Sequence, residues 1–103
     1  MTQGAPAEKA KAFVRASRKG SRRNWFVYVV ECANGAFYTG ITCDVVRRME
    51  QHNSGRGAKY TRAFGPVKLV WLERSRGGQS AALKREALVR RLPRAQKARL
   101  IGR

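Results

Sequence analysis

The strongest constraint on this chain is a strand, turn and strand near its centre. Trp25-Phe26-Val27-Tyr28-Val29-Val30-Glu31-Cys32 concentrates aromatic and β-branched side chains, which fill a pleated surface well. Ala33-Asn34-Gly35 follows, and Asn-Gly between apolar runs is a strong hairpin signal because the turn needs left-handed backbone. Ala36 to Thr42 reads as the returning strand. Loop length sets the register. A two-residue Asn34-Gly35 loop pairs Ala33 with Ala36 and puts Tyr28 and Tyr38 on opposite faces. A three-residue loop with Gly35 left-handed in a bulge pairs Cys32 with Ala36, sets Val30 opposite Tyr38 and Tyr28 opposite Gly40. The three-residue loop is the expectation, so both tyrosines share a face and Gly40 clears space beside Tyr28.

The elements downstream follow from local signals. Asp44 can cap a helix over Val45–His52, which Asn53-Ser54-Gly55 stops. A basic, glycine-containing loop runs from Gly55 to Arg62, and Val67–Glu73 reads as a third strand. Gly77-Gly78 is a turn, Ser80 caps a helix from Ala81 to about Leu92, and Pro93 suits the first turn of a short helix over Arg94–Leu100. The order strand, strand, helix, strand, helix, helix predicts an α+β fold: a small, mainly antiparallel three-stranded sheet flanked by helices. Residues 1–24 are poor in large apolar side chains and rich in Lys and Arg, so they are expected to be a basic, flexible tail. The packed domain is then residues 25–103, with no internal repeat.

Charge narrows the partner. The chain has 103 residues, 23 Lys and Arg against 6 Asp and Glu, and a formal charge of +17. Such self-repulsion fits a polyanionic partner, nucleic acid being the commonest, and a basic structural subunit of a larger particle fits as well. No amphipathic helix with a membrane-seeking face stands out, no apolar run approaches ~18 residues, and there is no signal-peptide core. Cys32 and Cys43 form no CxxC pair, and His52 completes no zinc set with them. Reduced, structural thiols and a cytoplasmic location are the expectation.

Helical periodicity turns three unusual residues inward. At about 100° per residue, Val45, Arg48, Met49 and His52 share one face of the first helix. Ala82, Leu83, Glu86 and Val89 share a stripe on the second, with Glu86 near its middle and Leu88 on the far side. A carboxylate there is costly unless it meets a cation or a metal. A salt bridge serves as well as a metal, and the chain offers many cations.

Taken in order, Tyr28, Tyr38-Thr39-Gly40, Arg48, His52 and a lone later Glu86 resemble the GIY-YIG nuclease superfamily over roughly residues 25–101. The segments Gly57-Ala58-Lys59-Tyr60-Thr61-Arg62 and Arg94-Ala95-Gln96-Lys97 resemble its small bacterial stand-alone, YhbQ-like branch. The first motif here reads Phe26-Val27-Tyr28, and the second has Thr39 in place of Ile. Some relatives carry a Lys after the second motif, where this chain has Ile41.

The resemblance implies an endonuclease using one Mg²⁺ or Mn²⁺ ion, with Glu86 as the single protein ligand. It implies that Arg48 steadies charge at phosphorus and that His52 orients groups or relays a proton. It implies a tyrosine general base, with family usage favouring Tyr38 and leaving Tyr28 to orient. Arg56, Lys59, Tyr60, Thr61 and Arg62 are candidates for nucleic-acid contact, since cations meet phosphates and Tyr60 can stack on a base. Lys84, Arg85, Arg90 and Arg91 extend the basic surface. DNA ranks ahead of RNA, recognised by shape or structure rather than sequence, and no obligate protein partner is evident. The competing reading is a non-catalytic basic nucleic-acid-binding module on the same fold.

Overall fold

The computed structural model describes residues 4–6, 24–54 and 65–102. Among them, four strands, β1 (Gly4–Pro6), β2 (Trp25–Cys32), β3 (Phe37–Thr42) and β4 (Val67–Ser75), form one antiparallel sheet in the order β1-β4-β2-β3. Among the described residues three helices accompany it: α1 (Val45–Asn53), α2 (Gly78–Arg91) and α3 (Arg94–Leu100). The expected α+β class and the ββαβαα order from β2 onward are present. The expected three-stranded sheet gains a short edge strand, because Gly4–Pro6 pairs with Trp71–Glu73 of β4. Backbone pairing asks little of side chains, and Pro6 is tolerated at a sheet edge where its missing N–H costs least. Residues 7–23 of the basic tail lie outside the described residues.

The hairpin has the three-residue loop. The Gly35 N–H donates to the Cys32 carbonyl and the Cys32 N–H to the Ala36 carbonyl, each at 2.8 Å, with Gly35 at φ +83°. Val30 therefore faces Tyr38 and Tyr28 faces Gly40. β2 lies between β3 and β4 and is covered on both faces, which explains its unbroken apolar run. Between Val29 and Val30 the pairing with β4 shifts, because Val29 meets Trp71 while Val30 meets Leu69. Val70 is the extra residue, and Val70 and Trp71 both join the core on the same side.

The two faces carry separate cores. Phe26, Tyr28, Val30, Val45 and Leu72 pack on the α1 side, with Tyr38 and Met49 against them. Val27, Val29, Trp71, Ala82, Val89 and Ile101 pack on the other side, which α2 covers. At about 25 cal/mol per Å² of apolar surface, each buried valine or tyrosine contributes on the order of 2 kcal/mol before chain entropy is counted.

Local chemistry sets the helix boundaries. The Asp44 carboxylate accepts from Arg47 N–H at 3.1 Å, the expected cap of α1. The Thr42 hydroxyl accepts from Asp44 N–H at 3.0 Å, so a short turn joins β3 to α1. The Asn53 side chain accepts from Val67 N–H at 2.7 Å and ties the end of α1 to the start of β4. α2 begins earlier than expected. It starts at Gly78 with Gly77 in the capping position and no side-chain cap, so Ser80 sits inside the first turn. Arg85 reaches the largely buried Glu73 at 2.7 Å and clamps α2 to β4. Leu83 departs from the expected inward stripe: it is half exposed, as is Leu88.

Candidate active site

Strand β2 carries Tyr28 into the α1-side core, 1% exposed. Its hydroxyl lies over Gly40, where a Cβ would come within 2.4 Å of Oη and 2.6 Å of Cζ. Only glycine opens the edge strand enough for the ring to lie there. Tyr38, two residues before Gly40 on β3, points the same way. The two tyrosine ring centroids are 6.5 Å apart. α1 supplies the nitrogen-bearing side chains of the cluster. His52 Nε2 is 2.8 Å from Tyr28 Oη, and Arg48 Nε donates to the same oxygen at 3.3 Å. The His52 ring stands edge-on to both tyrosines, at 5.7 Å from Tyr28 and 5.6 Å from Tyr38. Gln51 accepts from Arg48 Nη1 at 3.1 Å and holds the guanidinium.

The electrostatics follow from burial and from Arg48. Burial pushes the Tyr28 hydroxyl up to about 12, against the opposing hydrogen bond and charge of Arg48. Burial, aided by Arg48, lowers His52 to about 4, so the imidazole is neutral near pH 7. Burial works to lower Arg48, but hydrogen bonding and charge interaction with Tyr28 and Tyr38 prevail and raise it. Arg48 can only donate. With one acceptor position of Tyr28 Oη taken by Arg48, the phenolic proton pairs best with an unprotonated His52 Nε2.

Glu86 is placed differently. It sits on the sheet-facing stripe of α2 between Ala82 and Val89, both fully buried, and so belongs to the helix layer opposite α1. The five groups therefore come from both sides of the sheet. Four converge directly, and the fifth reaches them by charge, since Glu86 contributes to raising Tyr28. Its side chain is 14% exposed and is held by Arg90 one turn on, at 2.5 Å. Arg90 was expected only to extend a basic surface; the (i, i+4) spacing was a signal for the pair. The Gln51 contact was likewise available from its (i, i+3) spacing to Arg48. The expected contact residues Arg56, Lys59, Tyr60, Thr61 and Arg62 lie outside the described residues.

Among the described residues, no three His, Cys, Asp or Glu side chains gather as a metal cage. A single carboxylate held by one exposed arginine suits an ion that keeps most of its water shell, as Mg²⁺ does. A surface pair of this kind is worth ~1 kcal/mol or less and is easily exchanged. No helix among the described residues is long and apolar enough to cross a membrane.

An antiparallel sheet of this order, with paired tyrosines, an arginine and a histidine at one edge, defines a compact α+β domain with a polar site on its edge strand. The chain belongs to the GIY-YIG catalytic domain family, whose model matches residues 24–99. It is 53% identical over 78 residues to a UPF0213 protein of Vibrio cholerae, covering 76% of this chain and 77% of that one. A UPF0213 protein of Halobacterium salinarum is 52% identical over 71 residues, covering 69% and 91%. A protein from E. faecalis solved by solution NMR aligns with a TM-score of 0.53 and 39% identity, over 78% of this chain and 84% of the other.

Proposed function

We propose that this protein is a metal-dependent endonuclease that hydrolyses phosphodiester bonds in DNA, selecting shape or structure rather than sequence. The observation that carries the reading is the convergence of Tyr28, Tyr38, Arg48 and His52 beside Gly40 in a chain of this family. Arg48, held by Gln51, faces the phosphate and steadies charge developing on its oxygens. Tyr38, which is only partly buried and can first release its own hydroxyl proton to solvent, takes the proton of the attacking water as a phenolate. Tyr28 is poorly suited to that step. Ionising Tyr28 at pH 7, from about 12, costs on the order of 7 kcal/mol, and passing its proton to His52, near 4, costs on the order of 11 kcal/mol. Tyr28 and His52 therefore hold each other and Arg48 in place. Glu86 would hold one Mg²⁺ or Mn²⁺ ion, which when bound supplies Lewis acidity to the phosphate and its leaving oxygen. The described residues on either side of Arg56, Lys59, Tyr60, Thr61 and Arg62 are tied together, since the Asn53 side chain accepts from Val67 N–H. That anchorage supports a role in holding the substrate strand.

The test is a panel of labelled duplex, nicked, flap, single-stranded and RNA substrates, each with and without Mg²⁺ or Mn²⁺. Wild type cuts only with metal, while Arg48→Ala, Glu86→Ala and Tyr38→Phe fall by about a hundredfold or more. Persistent cutting by Glu86→Ala would remove Glu86 as the ligand. Tight binding by wild type without cutting on any substrate would leave the non-catalytic binding module.

A further inference from the structure

The junction of α2 and α3 gathers cations that the proposed chemistry does not use. Arg90 stands in the last turn of α2, Arg94 opens α3 and Lys97 follows one turn later. Arg94 is fixed in direction. Its Nη2 donates to the Gly35 carbonyl at 3.0 Å, and its guanidinium carbon lies 4.7 Å from the centroid of the Phe37 ring. Phe37 precedes Tyr38 on β3, so this group sits at the hairpin end of the strand that carries the candidate site. Lys97 is half-buried, and burial first, then the charges of Arg90 and Arg94, hold its amine below the ordinary lysine value. All three influences act in one direction. Arg94 and Lys97, spaced (i, i+3), are neighbours on one face of α3, and like charges set together there favour an anion between them.

We propose that Arg90, Arg94 and Lys97 form a seat for a backbone phosphodiester of nucleic acid flanking the bond to be cut. The proposal rests on the nuclease reading for its ligand. Arg94 brings a pre-oriented guanidinium with donors to spare beyond the one spent on Gly35. Lys97 brings a partly desolvated point charge. Arg90 is shared: it now holds Glu86, and a phosphate in the seat draws it away and frees that carboxylate. Strand binding along β3 and the readiness of Glu86 are thereby coupled through one arginine.

The test uses the full chain in chelator, with fluorescein-labelled single-stranded and duplex oligonucleotides followed by anisotropy across a KCl series. Lys97→Gln is compared with wild type and with Arg76→Gln, whose exposed side chain sits beyond the far end of β4. Loss of one phosphate contact reduces the log–log salt slope by about 1 in Lys97→Gln. Arg76→Gln keeps the wild-type slope. In parallel, the Lys97 amine is titrated by NMR through its Cε carbon, and bound oligonucleotide raises its pKa back toward the ordinary lysine value. An equal response to inorganic phosphate at the same concentration would overturn the backbone assignment. An unchanged slope and unchanged titration in a protein that still cuts DNA would overturn the seat and leave the nuclease standing. A reduced slope in a protein that never cuts would keep the seat and refute the nuclease. Failure of every oligonucleotide to bind refutes both.

Discussion

Replacing Gly40 by alanine tests the site's geometry with one methyl group. The new Cβ would stand 2.4 Å from Tyr28 Oη, 2.6 Å from Cζ and 3.0 Å from Cε2. Carbon atoms in contact prefer about 3.5–4.0 Å, so the ring must retreat by roughly 1 Å. It has nowhere cheap to go, being 1% exposed within the α1-side core. Such a retreat stretches the 2.8 Å contact with His52 past useful hydrogen-bond length. Overpacking costs about 1–3 kcal/mol and the lost buried hydrogen bond about 1 kcal/mol, so Gly40→Ala destabilises by about 2–4 kcal/mol. For a domain of this size that lowers Tm by roughly 10–30 °C. Urea unfolding followed by fluorescence and circular dichroism gives the energy, and the His52 ring resonances report the hydrogen bond. On a Tyr28→Leu background the same Gly40→Ala change costs little, because the ring is gone. A Gly40→Ala protein within about 0.5 kcal/mol of wild type, with the His52 titration unmoved, would refute the argument from close approach.

Two further outcomes follow from buried polar groups. His52 sits near 4 in the folded protein against about 6.5 unfolded, so the unfolded state binds more protons across that window. Its contribution is intact above pH 6.5 and fades as pH falls through the folded value, a loss of about 3 kcal/mol in all. Urea midpoints from pH 3 to 8 measure this, and His52→Phe should flatten that part of the profile. The Thr39 hydroxyl, on a residue 3% exposed on the α2 side, has no hydrogen-bond partner among the described residues. Thr39→Val therefore stabilises by about 1 kcal/mol while leaving cutting unchanged, and a loss of more than 1 kcal/mol in a urea melt would show that the hydroxyl has a partner.

Much of the fold was legible because its causes are local. The Asn34-Gly35 loop chose its own length, since a left-handed Gly35 sets Cys32 against Ala36 and every pair after them in the hairpin. Asp44 capped α1, and helical period alone brought Arg48 and His52 to the face that meets Tyr28. α2 starts ahead of Ser80, although Ser80 is a good cap by type, because the chain enters the helix directly from Gly77-Gly78. The bulge at Val70 left no mark in the pattern, since an extra residue in an apolar run disturbs no alternation.

Sequence order and period thus indicated most of the residues that are turned inward, Leu83 excepted, but not which layer receives them. A stripe on a helix records only that one side is covered. The face of the sheet that covers it depends on strand order and on how each connection closes, which are non-local. α1 and α2 both turn a polar residue toward the sheet, and they lie on opposite sides of it. Tyr28, Tyr38, Arg48 and His52 meet because β2, β3 and α1 are neighbours in the chain and local geometry suffices. Glu86 lies in the other layer, which only packing decides, and bears on Tyr28 through its charge, while its pairing with Arg90 is local, one helical turn apart.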